Sequence, residues 1–198
     1  MKTRISFYFL IAAMAAFTVL SSCKGNNGNT DNIPQPEVTE KTVDIEHLAN
    51  LYCNASNEEM AKVFIGEIQD DFFIVDKDKE NNFAQVYTRG QYDNCLQFYV
   101  WTSEDDSKIL GVNIIELTED SRRVWLQFYN YDMDKNELVL NEGLNSIFSD
   151  AVRELGTPLY IYRIPESSEN EDVVLGYWDS DENYSEKVFK WDGRSFKE

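Results

Sequence analysis

Leu96-Gln97-Phe98-Tyr99-Val100-Trp101 and the near-copy Leu126-Gln127-Phe128-Tyr129-Asn130-Tyr131 decide the fold class of this chain. Both stretches are rich in β-branched and aromatic residues, the composition of a strand. Successive strand side chains point to opposite sides. Leu96, Phe98 and Val100 therefore share one side of the first strand, and Gln97, Tyr99 and Trp101 share the other. In the second strand Leu126 and Phe128, preceded by Val124, stand against Trp125, Gln127, Tyr129 and Tyr131. A likeness this short marks two strands built alike and is too brief to define a repeat architecture.

The same signature extends outward from these two stretches. After Asp71 come short runs of strand type at 72–75, 84–88, 96–102, 110–117, 124–131 and 138–140, then at 159–164, 173–178 and 187–191. The turns between them are built from Asp, Asn, Glu, Ser and Lys, and short loops favour antiparallel neighbours. The break at 144–155 has Leu144, Ile147, Phe148, Ala151 and Leu155 at helical spacing, with Gly156 and Pro158 to stop it. Ahead of the strands, 43–65 reads as helix in one or two pieces. Ile45, Leu48, Ala49 and Tyr52 fall on one helical face. Asn57 would cap a second piece, with Glu58 and Glu59 in its first turn, Met60, Val63 and Phe64 facing inward and Gly66 at its end. The expected fold is α+β: N-terminal helices packed on a meandering antiparallel sheet of about eight or nine strands, curled or split in two. Leu96, Phe98, Val100, Val124, Leu126 and Phe128 are the expected core face.

The chain has 198 residues and a formal net charge of −18. Such an excess of carboxylates repels phosphate backbones and anionic lipid headgroups, which argues against nucleic acid and against direct membrane contact by the domain. The single histidine, His47, rules out zinc sites with several His ligands. Any Ser-His or Cys-His site would have to use it, and Cys53, six residues on, is not on the same helical face. No glycine-rich phosphate loop or dinucleotide fingerprint occurs.

At the N-terminus, Lys2 and Arg4 precede an apolar run from Ile5 to Leu20, and Leu20-Ser21-Ser22-Cys23 follows. A basic start, an apolar stretch of about 15 residues and small residues at the end describe a secretory signal. The arrangement resembles the signal sequence and lipobox of bacterial lipoproteins, and this resemblance covers the first 23 residues. It implies cleavage before Cys23 and acylation of its thiol, so the lipid would hold the protein on a membrane. Asp directly after that Cys resembles an inner-membrane retention signal, and Lys24 stands there instead. An acidic run after it resembles a surface-export signal, and 25–30 is uncharged. The resemblance therefore implies export and anchoring to the cell envelope, at the outer membrane on its periplasmic face. Residues 1–22 read as the signal peptide and 23–40 as the lipidated Cys23 and a tether too poor in apolar residues to fold. Residues 41–198 read as a single globular α+β domain.

Three constellations are candidates for chemistry. If the two near-identical strands share a sheet with their second faces together, Gln97, Tyr99, Trp101, Trp125, Gln127, Tyr129 and Tyr131 form an amphipathic platform for sugar rings or an extended peptide. The alternative is that a helix covers this face as a second core layer. Asp179, Asp181 and Asn183 alternate oxygen-bearing side chains, as do Asp76-x-Asp78-x-Glu80 and Asp132-x-Asp134-x-Asn136, which suits calcium. None of the three loops carries the glycine or the closing glutamate of a calcium loop, so the calcium signal is weak and ordinary acidic hairpin loops are the favoured reading, with Asp179–Asn183 the best of the three for a cation. No other cofactor is expected. Cys53 and Cys95 are either a disulfide, as export allows, or two buried thiols. Two functional classes follow: a non-catalytic envelope module binding a glycan, a peptide or an envelope protein, and an envelope hydrolase working through paired carboxylates.

Overall fold

The computed structural model describes residues 43–89, 91–117 and 122–198. Cys23 and the segments read as signal and tether lie outside them. Asp44 opens the first helix, α1 (Ile45–Ala55): its carboxylate accepts a hydrogen bond from the His47 backbone N–H at 2.9 Å. Ile45, Leu48, Ala49 and Cys53 are buried along one side of it. Full burial of a side chain such as Leu48 is worth about 1.5–3 kcal/mol, which is what docks so short a helix. A second helix, α2 (Glu59–Phe64), buries Met60, Ala61, Val63 and Phe64. Asn57 is not its cap. Glu58 precedes the helix and makes no side-chain capping bond, because its carboxylate accepts two hydrogen bonds from Arg123 at 2.7 and 2.9 Å. Gly66, at φ +78°, takes the chain out of the helix in a conformation other residues resist.

Strands β1 (Phe73–Asp78), β2 (Phe83–Thr88), β3 (Gln91–Thr102), β4 (Lys108–Leu117), β5 (Arg122–Asp132) and β6 (Glu137–Leu140) form an antiparallel meander in that order. A third helix, α3 (Glu142–Leu155), follows, capped by the Asn141 side chain and ended by Gly156 at φ +67°. Strands β7 (Tyr160–Arg163), β8 (Val173–Trp178), β9 (Tyr184–Trp191) and β10 (Phe196–Lys197) make a second antiparallel sheet. The architecture is α+β with antiparallel sheets, and two parts of the expectation need correction. Among the described residues one sheet of about eight or nine strands does not form: the strands divide six and four. The helices are not all N-terminal, since α3 falls between β6 and β7 and lifts the chain off the edge of the first sheet.

Both faces of the six-stranded sheet are core. On one face Ala84, Val86, Leu96, Phe98, Val100, Leu110, Val112 and Ile114 pack against α1 and α2. On the other, Phe83, Tyr99, Trp101, Ile109, Leu126 and Phe128 pack against α3 and the second sheet. The expected core residues are therefore split between two faces. Leu96 pairs with Ile114, which pairs with Trp125, whereas Leu126 pairs with Asn113, which pairs with Gln97. Residues paired across a ladder point to the same side, so the two alike stretches present opposite faces. Because β4 is buried on both sides, neither phase of its neighbour leaves apolar groups in water.

A row of amides crosses the second face. Gln97 donates to Gln85 Oε1 at 3.4 Å, and Asn113 Nδ2 donates to Gln97 Oε1 at 2.9 Å and to the Tyr162 carbonyl at 3.2 Å. The carbonyl can only accept, which fixes the direction of the whole chain.

No disulfide joins Cys53 and Cys95. Both are buried thiols. Cys53 lies in the α1 core, whereas Cys95 pairs with Ile115 and points to the opposite face of β3 from Leu96. Burial pushes the Cys53 thiol up to about 12, so it is unreactive while folded. Peptide mapping after alkylation should show Cys53 and Cys95 labelled only in denaturant, with no mass change on reduction. A linked peptide pair released by reductant would contradict this arrangement.

Candidate functional site

The predicted platform does not assemble. Tyr99 and Trp101 are 0% exposed. The Trp101 indole N–H donates to the Glu171 carbonyl at 2.9 Å and the Tyr99 hydroxyl to the Ser167 carbonyl at 3.5 Å, both in the segment leading from β7 to β8. Gln97, half-buried, is held in the amide row. These three belong to the interior under the second sheet. Trp125, Gln127, Tyr129 and Tyr131 lie on the opposite, α1-facing side, all half-buried.

That second group helps to form a groove. A cavity of about 410 Å³ lies between the C-terminal half of α1 and strands β5 and β6. Leu51, Tyr52 and Ala55 wall it on the helix side, and Tyr129 and Leu138 on the sheet side. Ser56 and Asn136 supply its polar rim, and Glu137 borders it from a strand position that alternates to the other side of β6 from Leu138. The rings of Tyr52 and Tyr129 meet edge to face at 5.8 Å. Burial pushes both phenols above their ordinary values, so both stay protonated. The Tyr129 hydroxyl donates to Gln127 Oε1 at 2.6 Å.

One end of the groove is fixed by His47. Its Nε2 donates to Asn136 Oδ1 at 2.8 Å, and the Tyr131 hydroxyl donates to the same oxygen at 2.9 Å. An amide oxygen accepts only, so Nε2 carries the proton. Asn136 sits at φ +53° in the turn between β5 and β6, a conformation Asn tolerates well. The histidine thus ties the first turn of α1 to the β5–β6 hairpin, and its Nε2 is occupied by that tie.

Sequence reasoning reached Tyr129 and missed the rest of the lining. Tyr52 had a signal: it completes the helical stripe of Ile45, Leu48 and Ala49 and carries a polar tip. Asn136, Glu137 and Leu138 had none, because only the pairing of β6 with β5 brings them under α1.

The three acidic loops are hairpin turns. Asp179 Oδ1 accepts from the backbone N–H groups of Asp181 and Asn183, each at 2.9 Å, and Asn183 Nδ2 donates to Asp179 Oδ2 at 3.2 Å. Asp78 accepts in the same way from Asn81, and Asp132 from Lys135. The oxygens of Asp179 are turned to N–H donors of its own loop. Among the described residues, no group of three or more His, Cys, Asp or Glu side chains is placed to hold a metal ion. The Glu171 carboxyl is held above its ordinary value by burial, an effect that the nearby Tyr99 hydroxyl partly offsets. It lines neither the groove nor the polar hollow between Ser103–Ser107 and Gly193–Arg194.

No helix among the described residues is long and apolar enough to cross a membrane. Comparison with known proteins finds no matching family model, no matching curated protein and no matching solved structure.

Proposed function

We propose that this chain is an exported lipoprotein, anchored through Cys23 at the outer membrane on its periplasmic side, whose domain binds a ligand without transforming it. The anchor rests on the basic start, the apolar run and Leu20-Ser21-Ser22-Cys23. The binding role rests on one observation, the groove between α1 and β5–β6. Its interior is apolar and aromatic and its rim carries a few polar groups, which is the make-up of sites that hold small ligands or side chains. Tyr52 and Tyr129 remain neutral hydroxyls there, Ser56 and Asn136 are uncharged, and Glu137, the carboxylate at its border, pairs with Lys135 at 3.4 Å. Such a lining orients a bound group and offers no nucleophile paired with a base.

The test uses the full chain in detergent, melted in the presence of envelope glycan fragments and short peptides. A ligand of the native state raises Tm by mass action. Ala55 is exposed at the groove wall, so Ala55→Trp should fill the groove, leave the unliganded Tm unchanged and abolish the ligand-dependent rise. A rise that persists in this variant would put binding elsewhere. In a bacterial host, an alkyne-tagged fatty acid should label the wild-type chain and not Cys23→Ser. Equal labelling of the two would remove the anchor from the reading.

A further inference from the structure

We infer that the ligand of this groove is an extended peptide of alternating apolar and basic residues, added as a strand to the free edge of β6. The inference rests on the groove being the binding site.

β6 is the last strand of its sheet, and among the described residues no strand pairs with its outer side. The Asn141 backbone N–H donates to the Phe128 carbonyl at 2.9 Å. Antiparallel ladder bonds fall on alternate residues. The inward positions are therefore Asn141, Val139 and Glu137, and the N–H and C=O groups of Leu138 and Leu140 turn outward. Those outward groups are what an added strand pairs with.

The side chains along this edge are unlike those of a protected one. Val139 is 44% exposed and Leu140 45%. At the opposite edge of the same sheet, β1 follows Phe73-Ile74-Val75 with Asp76, Lys77 and Asp78, charges that natural edges use against strand addition. After Glu137, β6 reads Leu-Val-Leu.

The faces fix the pattern of the peptide. Leu138 pairs with Tyr131 and Leu140 with Tyr129, so both lie on the α1 side. An added strand would direct every second side chain to that side, over the groove walled by Leu51, Tyr52 and Ala55, where apolar residues fit. Its other side chains would fall on the side of Glu137 and Val139. Glu137 is exposed there, and Asp134 and Glu142 are exposed in the segments just before and after β6. Lys135, the one cation of that turn, is already paired with Asp132 and Glu137. Basic residues therefore complement this side, within a chain whose net charge is −18. A second copy of the chain would bring these carboxylates against their own counterparts. A glycan carries hydroxyls but no backbone row of donors and acceptors at the spacing of a β-strand.

The probes are a capped nonapeptide of alternating Val and Lys, its fully N-methylated form, a Val–Glu counterpart and an N-acetylglucosamine tetramer. The full chain in detergent is followed by fluorescence anisotropy and by amide hydrogen exchange. The Val–Lys peptide should bind, and it should slow exchange at Leu138 and Leu140. N-methylation keeps the charge and removes the strand donors, and should weaken binding about tenfold or more. The Val–Glu peptide should not bind. Leu140→Pro removes one outward N–H and leaves the ladder bonds in place, so it should lose the peptide while keeping its Tm near wild type. Should that variant unfold, the N-methylated peptide still decides. Equal binding of the N-methylated form, or no slowing at Leu138 and Leu140, overturns the inference. Leu138 and Leu140 already protected in a dimer without peptide would overturn it in favour of a second copy. Binding of the tetramer alone, lost in Ala55→Trp, would overturn the peptide and leave the groove standing. If every peptide and glycan fails to bind, both readings fall.

Discussion

Replacing Trp101 with alanine lowers the unfolding free energy by about 3–5 kcal/mol, the usual cost of deleting a large buried aromatic side chain. Trp101 is 0% exposed, and its ring sits at the centre of the interior between the two sheets. Tyr99 lies 4.6 Å away centroid to centroid, Phe128 5.4 Å and Phe196 5.5 Å. Its indole N–H is also the donor to the Glu171 carbonyl, which would lose that partner. A domain of this size has roughly 5–15 kcal/mol in all, so this single change consumes a large part of it. Urea unfolding followed by circular dichroism measures it. A loss below about 1 kcal/mol, typical of surface substitutions and mild core changes, would mean that the second sheet does not cover this face.

The second large effect comes from the residue beneath that ring. Gly111→Ala is expected to cost about 1–3 kcal/mol through overpacking. A Cβ at Gly111 would stand 2.9 Å from Trp101 Cη2 and closer still to Cζ3. The ring has nowhere to go, since the aromatic neighbours that enclose it are themselves buried. The two substitutions are therefore coupled. In a Trp101→Ala background the extra methyl enters the vacated space, and Gly111→Ala should cost little or even restore some stability. The double-mutant cycle reads this directly as a non-additive term of about 1 kcal/mol or more. Strict additivity would show that the glycine is conserving something other than room for the indole.

Much of the architecture is legible in the residues. The strand runs, the helix at 144–155 and the two-part helical segment before Asp71 all correspond to elements of the fold. The phase between neighbouring strands is not legible. Alternation along Leu96–Trp101 tells which residues share a side, and alternation along Leu126–Tyr131 tells the same, but neither says which sides coincide. That depends on the pairing register through β4, and β4 is apolar on both sides. The lone glycine inside β4 was the available sign of a close approach, since a strand interior without a side chain often marks one. The tenth strand, Phe196–Lys197, is too short for any periodicity. The groove is legible only in part. Tyr129 belongs to a conspicuous aromatic strand, whereas Asn136, Glu137 and Leu138 read as an ordinary turn and a short run.

The six-stranded sheet with its two cores has a consequence for how the chain must be made. Its strands are neighbours in sequence, so residues 43–140 hold everything needed for the meander and for its helical cover. The opposite cover arrives only with the last 58 residues or so, α3 and β7 to β10. A polypeptide halted at Leu140 would present Tyr99, Trp101, Ile109 and Phe128 to water as one greasy plane, the kind of half-finished surface that aggregates. Damage at the two ends is therefore not equivalent: every event that costs this protein its C-terminal third, from a premature stop to a protease nick, uncovers the aromatic interior at once.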